Sequence, residues 1–242
     1  MSAWFDKVQA DFYQNFIEDD RWRLMLNGLG VTLRITLGAL VIGIIIGILI
    51  SIIRSTYDKT IDTMRPGPGK VLLRFFNTIC RIYLSIIRGT PVFVQLLIFY
   101  FVIFVSASNG VLIAMLTFGI NSGAYVSEII RSGIMSIDAG QMEAGRSLGF
   151  NYIQTMRFII IPQAFKNVLP ALANEFITLL KETSIAGYVA VKDLAKAAMS
   201  IRGITYSAFM PLIGLALIYF ILVKFLEWIF SMVERRLRNS DH

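Results

Sequence analysis

Long uncharged stretches alternate with short polar segments along this chain of 242 residues. The stretches Ile35–Ile53, Gly89–Ser127 and Ile204–Val223 contain no charged residue. An apolar helix of roughly 20 residues is long enough to cross the hydrocarbon core of a bilayer. Gly89–Ser127 is about twice that length, and the turn signal Ser106–Gly110 divides it into two. The pattern therefore predicts an all-α membrane protein.

Five membrane-spanning helices are expected within a transmembrane domain at 30–238. They lie at about 30–53, 91–105, 111–130, 167–191 and 204–232. The fourth is the weakest, because it contains Glu175, Lys181 and Glu182. In the first span, Gly43 and Gly47 have the GxxxG spacing that lets a second backbone approach closely, although glycine is also common in membrane helices. Apolar residues at helical spacing in 71–87 predict an amphipathic helix on the membrane surface.

The orientation follows from the distribution of Lys and Arg, which are enriched in cytoplasmic segments. The segment 54–88 contains seven basic residues, namely Arg54, Lys59, Arg65, Lys70, Arg74, Arg81 and Arg88. The segment 1–29 contains five acidic and three basic residues. We therefore expect an extracytoplasmic N-terminal segment 1–29 and a cytoplasmic C-terminus. The loop 192–203 then lies outside in spite of its basic residues.

Composition supports the membrane class and restricts the chemistry. Apolar residues make up 56% of the chain and charged residues 16%, against about 45–50% and 25% in soluble domains. The single histidine is His242 and the single cysteine is Cys80, so we expect no metal site and no catalytic residue built on these types. We interpret the net charge of +7 as basic cytoplasmic loops rather than as a nucleic-acid surface.

The segment 136–162 is the most structured of the polar segments. Ser136 or Asp138 can cap a helix that begins near Gly140, and Gly149 can end it in the left-handed conformation. A second helix from about residue 152 to 160 completes a helix–turn–helix. The segment is either a docking element for a partner or an amphipathic loop on lipid headgroups.

Here the sequence resembles a known family. Glu143-Ala144-Gly145, followed by Gly149 and Ile159–Pro162, resembles the EAA loop of permeases from ATP-binding-cassette (ABC) importers. Further matches to the polar amino-acid branch follow in family order between about residues 20 and 238: Arg88–Pro91, Val94–Leu96, Asn121–Tyr125, Glu128–Arg131, Pro162–Ala164, Asn174–Ile177 and Lys181–Ser184. Two departures are Gly145, in place of the second alanine of the triplet, and Ile161, where leucine is usual. Glycine is expected to weaken the helix by about 1 kcal/mol relative to alanine.

The resemblance implies a type I ABC importer permease fold in the bacterial inner membrane, multi-pass and without enzymatic activity of its own. The implied partners are two ABC ATPase subunits, a second permease copy (a homodimer or a paralogue), an extracytoplasmic solute-binding protein and the lipid bilayer, with no nucleic acid. ATP and Mg would be bound by the ATPase subunits, and no cofactor by this chain. Gly67–Lys70 is not a P-loop, because Val71 stands where Ser or Thr is required.

Two sets of candidate residues follow. The resemblance assigns ATPase coupling to Glu143, Ala144, Gly145, Arg146 and Gly149. Ionisable and amide side chains in the third and fourth spans are candidates for the substrate pathway: Asn121, Ser122, Glu128, Asn174, Glu175, Lys181 and Glu182. Asn121 and Lys181 could donate to a substrate carboxylate, and Glu128 or Glu175 could accept from its ammonium. Alternatively, Glu175 bonds another helix, and Lys181 and Glu182 lie at the outer interface. Arg88 is expected to extend to the cytoplasmic headgroups.

Three other functions are considered. An ion-coupled secondary amino-acid transporter has the same composition but would work without an ATPase. A membrane-embedded enzyme would need a constellation that one terminal histidine and one cysteine do not supply. An exporter of the same fold would not need the binding protein that the resemblance implies.

Overall fold

The computed structural model describes the backbone of residues 2–238 and the side chains of residues 4–236. All regular structure in this range is helical. The α-helices are α1 Ser2–Phe12, α2 Trp22–Thr60, α3 Pro68–Gly89, α4 Val92–Ile98, α5 Gly110–Met135, α6 Ala139–Ser147, α7 Tyr152–Thr155, α8 Ile161–Glu182, α9 Leu194–Thr205 and α10 Phe209–Arg238. Short 3-10 or π turns extend several of them, at Tyr13–Ile17, Glu18–Asp20, Phe99–Ile103, Met156–Ile160 and Thr183–Val189. The prediction of an all-α protein is confirmed.

Three of the described helices are long and apolar enough to cross a membrane: α2, α5 and the Phe209–Arg236 part of α10. A fourth span is present if Pro68–Gly89 and Val92–Ile103 together form one bent span. The bend has a local cause. Pro91 lacks an N–H group and disfavours helical geometry at the residue before it, and Thr90 has the extended angles φ −123° and ψ 143°.

Several boundaries differ from the sequence-based expectations. The fourth predicted span corresponds to α8, which begins at Ile161 and ends at Glu182. Pro162 lies in the first turn of α8. A proline at this position costs little stability, because its missing N–H would have no partner within the helix. The predicted outer loop 192–203 contains helix α9. Helix α10 begins at Phe209 rather than near 204, because Tyr206 adopts a left-handed conformation (φ 53°) that ends α9.

The chain folds into two compact units. Unit 1 consists, within the described residues, of 2–39, Phe93–Phe118 and Ile177–Glu227. Its core lies where α2 meets α9, and it contains Met25, Leu194, Ala197, Ala198 and Ile201. The approach is close: a Cβ on Gly28 would lie 2.8 Å from the carbonyl oxygen of Asp193. The Thr32 hydroxyl also accepts the N–H of Leu194 at 3.0 Å, so the start of α9 is held on α2.

Unit 2 consists of Leu40–Val92, Gly119–Phe176 and, within the described residues, 228–238. The single histidine of the sequence, His242, lies outside the described residues. The two apolar clusters of unit 2 are Leu84, Ile87 and Ala124, and Ile134, Ile160 and Ala164. The GxxxG pair of α2 faces α5. A Cβ on Gly43 would lie 3.1 Å from the Ser122 Cβ, and one on Gly47 would overlap the Val126 side chain. Close helix approach is therefore the structural role of these two glycines.

Candidate functional site

Helix α6 begins and ends with local signals. The Asp138 carboxylate accepts the Gly140 N–H at 2.6 Å, so Asp138 rather than Ser136 is the N-cap. Gly149 has φ +86° and ends the helix in the left-handed conformation. Asn151 and Gln154 then form a reciprocal capping box at the start of α7, with both bonds at 2.9 Å. The expected helix–turn–helix is present. The resemblance assigns ATPase coupling to the loop 136–162, and we therefore call its part 138–160 the coupling segment.

The inner face of α6 is fixed to the helical turns that follow it. Gly145 is the buried residue of α6. A Cβ on Gly145 would lie 2.5 Å from the Thr155 Cγ2 and 3.1 Å from the Ile159 Cδ1. Met142 packs on the cluster of Ile134, Ile160 and Ala164. The glycine that the sequence presented as a weakening of the helix is therefore required for close packing.

Tyr152 fixes the other side of the coupling segment. It is partly buried, and its hydroxyl pairs with that of Thr56 on α2. Burial raises the pKa of the Tyr152 phenol, so the group remains neutral at physiological pH.

The outer face of α6 and of the turns after it is exposed. Glu143, Ala144 and Arg146 are exposed. Three apolar side chains accompany them, Leu148 at 75%, Ile153 at 73% and Phe158 at 60% exposure. Exposed charges beside uncovered large apolar groups are typical of a surface that binds another protein.

A second group of polar residues joins α5 to α8. Ser122 is buried, and its hydroxyl donates to the Glu175 carboxylate at 2.8 Å. Asn121, beside it on α5, is 3% exposed, whereas Asn174 is exposed. The structure therefore brings together Ser122 and Glu175, two residues of the predicted substrate pathway, and gives Glu175 a partner on another helix.

A third group surrounds Glu128, whose carboxylate faces guanidinium groups from three helices. The Oε2 atom lies 3.1 Å from Arg131 and 4.0 Å from Arg88, and Oε1 lies 3.4 Å from Arg54. Arg131 also binds Asp58 at 3.1 Å. The Cζ atom of Arg88 lies 5.8 Å from the centroid of the Tyr125 ring, so its side chain lies against α5. The Glu128 oxygens are thus already occupied by cations.

This group forms one wall of an open cavity of about 660 Å³ in unit 2. The lining residues are Arg54, Arg81, Leu84, Ser85, Arg88, Gly89, Tyr125 and Glu128. The volume falls within the roughly 300–1,000 Å³ range of small-molecule sites. We call it the arginine cavity.

The remaining predicted residues, Lys181 and Glu182, belong to unit 1 and end α8. Lys181 is exposed and Glu182 partly exposed. No group of three or more His, Cys, Asp or Glu side chains arranged to hold a metal ion occurs among the described residues.

Sequence reasoning did not identify Arg54, Arg81 and Thr155 as members of these sites. The first two were counted only as cytoplasmic charge, although Arg81 and Arg88 are seven residues apart and so share a helix face. No local signal marks Thr155 as the partner of Gly145. Its identification requires the packing of α6 against α7.

The chain is similar to known transport proteins over most of its length. Residues 69–239 match the family described as the binding-protein-dependent transport system inner membrane component. The chain is 40% identical over 220 residues to the arginine transport system permease protein ArtQ of Bacillus subtilis, which covers 90% of this chain and 94% of that protein. It is 34% identical over 167 residues to the glutamine transport system permease protein GlnP of Escherichia coli, which covers 67% and 76% of the two chains.

Among solved structures, this fold is similar to the crystal structure of an amino acid ABC transporter with histidines. The TM-score is 0.76 at 38% sequence identity, and the match covers 88% of this chain and 94% of that one.

Proposed function

This chain belongs to the family of binding-protein-dependent transport system inner membrane components and is the permease subunit of an amino-acid ABC importer; from this premise we propose that its coupling segment transmits movements of an ATPase subunit to the transport pathway. Its fold is that of a type I ABC importer permease. It is a multi-pass component of the inner membrane.

The observation that carries the proposal is the two-sided construction of α6. Its inner face is locked against α7 by the contact between Gly145 and Thr155. Its outer face presents Glu143, Arg146 and the uncovered Leu148. A force on the outer face is therefore transmitted to the following helices instead of being absorbed by a flexible loop. Glu143 would form a charge-assisted pair with a basic residue of the ATPase, with Arg146 beside it.

The path from the coupling segment continues within unit 2. Thr155 is followed without a break by the π turn Met156–Ile160 and by α8. Glu175 on α8 accepts the hydrogen bond of Ser122 on α5. A displacement of α6 would thus move α8 and, through this partly buried hydrogen bond, α5 as well. This arrangement supports rigid-body movement as the mechanism that opens the pathway.

The proposed assembly contains two ABC ATPase subunits, which bind ATP and Mg, and a second permease copy, either identical or paralogous. An extracytoplasmic solute-binding protein would deliver the amino acid. We place residues 1–29 on the extracytoplasmic side and the coupling segment in the cytoplasm, because Lys and Arg are concentrated in 54–88. The transmembrane permease domain then extends over 30–238.

The two relatives transport arginine and glutamine by name. The side chains of these amino acids differ in charge, so the groups that any common pathway recognises are the α-carboxylate and the α-ammonium. We propose that this chain provides polar contacts to such a zwitterion from the third and fourth predicted spans. Ser122 and Glu175 are the best supported, because they meet inside unit 2. The comparisons give no support to an ion-coupled transporter.

The coupling role is tested by Glu143→Ala in the assembled importer, reconstituted in vesicles with its ATPase and loaded binding protein. We expect a loss of more than about tenfold in uptake and in stimulated ATP hydrolysis, because a charge-assisted contact contributes roughly 1.5–3 kcal/mol. Asp62→Ala is the matched control, since it removes an exposed carboxylate that lies outside the coupling segment. Unchanged stimulated hydrolysis in Glu143→Ala would exclude this role.

The locking contact is tested by Gly145→Ala. Overpacking of this kind costs about 1–3 kcal/mol, and we expect less ATPase subunit to co-purify with the permease. Thr155→Ser removes the Cγ2 atom that the new Cβ would meet at 2.5 Å, and its hydroxyl can still bond the Asn151 carbonyl. The double variant should therefore recover part of the association. Full association of Gly145→Ala alone would show that the packing is not required.

A further inference from the structure

We propose that the arginine cavity binds the α-carboxylate of the transported amino acid, with Arg81 as its principal cationic contact. The inference rests on the function proposed above and assigns a chemical role to a cavity whose arginines that function did not use. It concerns α3 and the parts of α2 and α5 that belong to unit 2.

The first argument is charge. The guanidinium groups of Arg54, Arg81 and Arg88 line the cavity against the single carboxylate of Glu128. Arg131, which also binds Glu128, is balanced by Asp58. The site therefore carries two positive charges in excess, and such an excess favours an anionic occupant.

The second argument is that the three arginines of the lining differ in their ion pairs. Arg54 and Arg88 are turned toward Glu128, at 3.4 and 4.0 Å. Arg81 forms no ion pair within the part of the chain that the structure describes, and it lies exposed on the cavity wall. Its planar guanidinium can therefore take a carboxylate in the two-bond geometry that arginine prefers.

The third argument is unsatisfied hydrogen bonding. The Nε atoms of Arg54 and Arg131 are buried and have no acceptor among the described residues. A buried donor without a partner costs roughly 1–3 kcal/mol, and Arg54 is part of the cavity lining. An oxyanion in the cavity adds acceptors where donors are in excess. Ser85 and Tyr125 belong to the same lining, and each carries a hydroxyl group that can donate to an oxyanion.

A carboxylate fits this site better than an ammonium or an uncharged side chain. The only carboxylate of the lining already faces three guanidinium groups, so an ammonium group would have to compete with them. A carboxylate is also common to all amino acids, and a site for it does not distinguish among side chains. The arginine cavity would thus recognise the shared part of the substrate.

The test measures uptake of L-arginine and L-glutamine by the complete importer in phosphatidylcholine vesicles, with saturating binding protein. Arg81→Gln should lower transport at subsaturating substrate by about tenfold or more, and Arg81→Lys should recover part of it. The matched control is Arg74→Gln, which removes an exposed arginine two turns earlier on the same face of α3 but outside the cavity lining. Direct binding of the two amino acids and of their α-amides to the permease–ATPase complex without binding protein supplies the second readout. Wild type should prefer the acids, and Arg81→Gln should lose that preference.

The outcomes separate the two proposals. Stimulated ATP hydrolysis that is unchanged by Glu143→Ala, together with a transport defect in Arg81→Gln, would contradict the proposed coupling role and support the carboxylate site. Normal wild-type transport with an Arg81→Gln variant equal to Arg74→Gln would overturn the carboxylate site alone. A defect of Arg81→Gln that appears only in vesicles containing phosphatidylglycerol would assign the cavity to a lipid phosphate and would also overturn it.

Discussion

Two carboxylates in this protein are removed from bulk water in different ways. Asp193 in unit 1 is fully buried and accepts backbone N–H groups of Lys196 and Ala195, at 3.0 and 3.3 Å, at the start of α9. Glu128 in unit 2 is about one quarter exposed and is surrounded by guanidinium groups of α2, α3 and α5. The lost hydration of Asp193 is replaced mainly by backbone dipoles, and that of Glu128 by full positive charges.

The difference has consequences for function. Backbone donors hold a carboxylate in place but add no net positive charge. The contacts of Asp193 therefore fix the start of α9 and do not create a site for an anion. Arginines that outnumber their carboxylate leave a cationic surface behind, and that surface lines a cavity. Burial raises the pKa of Asp193 to about 6, which shows that the dipoles only partly replace hydration.

The largest expected effect comes from Glu128→Gln, which leaves several guanidinium groups without their carboxylate. We expect a loss of about 2–3 kcal/mol in unfolding free energy, less than for a fully buried pair because the group is partly solvated. Reaction of the buried Cys80 thiol with a fluorogenic maleimide during heating reports unfolding of unit 2. Asp62→Asn, which removes an exposed carboxylate of the same unit, should cost less than about 0.5 kcal/mol. Equal losses in the two variants would contradict the comparison.

A smaller effect is expected from pH at Asp193. The folded pKa near 6 exceeds the value of about 3.9 in an unfolded chain, so the native state binds the proton more tightly. Stability should therefore rise by about 1 kcal/mol as the pH falls from 7 to 5. The measurement is the thermal midpoint by tryptophan fluorescence. Asp193→Asn should remove this increase, and an identical pH profile in the variant would show that Asp193 does not titrate in this range.

The smallest effect is expected from salt. Ions screen partly exposed charges over about 10 Å at 0.1 M, so the destabilisation caused by Glu128→Gln should shrink by about 0.5 kcal/mol at high salt. The effect of Asp193→Asn should stay constant, because its partners are adjacent backbone dipoles. The same two thermal assays at low and high sodium chloride provide the check. If only the effect of Asp193→Asn depended on salt, the conclusion that dipoles surround Asp193 and full charges surround Glu128 would be wrong.

Features with local signals could be predicted from the sequence. The caps of the coupling segment depend on Asp138, Gly149 and Asn151, each within a few residues of the groups that it satisfies. The uncharged stretches likewise identified α2, α5 and α10, because membrane solvation acts on each helix independently.

Features that depend on distant residues were not predictable in the same way. Arg54, Arg88 and Glu128 come from three helices and meet only in the folded unit. Helix α9 was taken for a loop because its basic residues, Lys196 and Arg202, obscured an apolar face that packs on α2. In both cases the decisive contacts are tertiary, and no window of sequence contains both partners.

The contact between Gly145 and Thr155 sets a condition for engineering this protein. Exchange of the coupling segment between permeases would be a way to redirect them to another ATPase. In such an exchange the inner-face glycine and its threonine partner must be transferred together. A graft that ends at Gly149 would separate them, and a graft extended through Ile160 would carry both. The smallest segment that preserves the packing of α6 is therefore longer than its sequence motif.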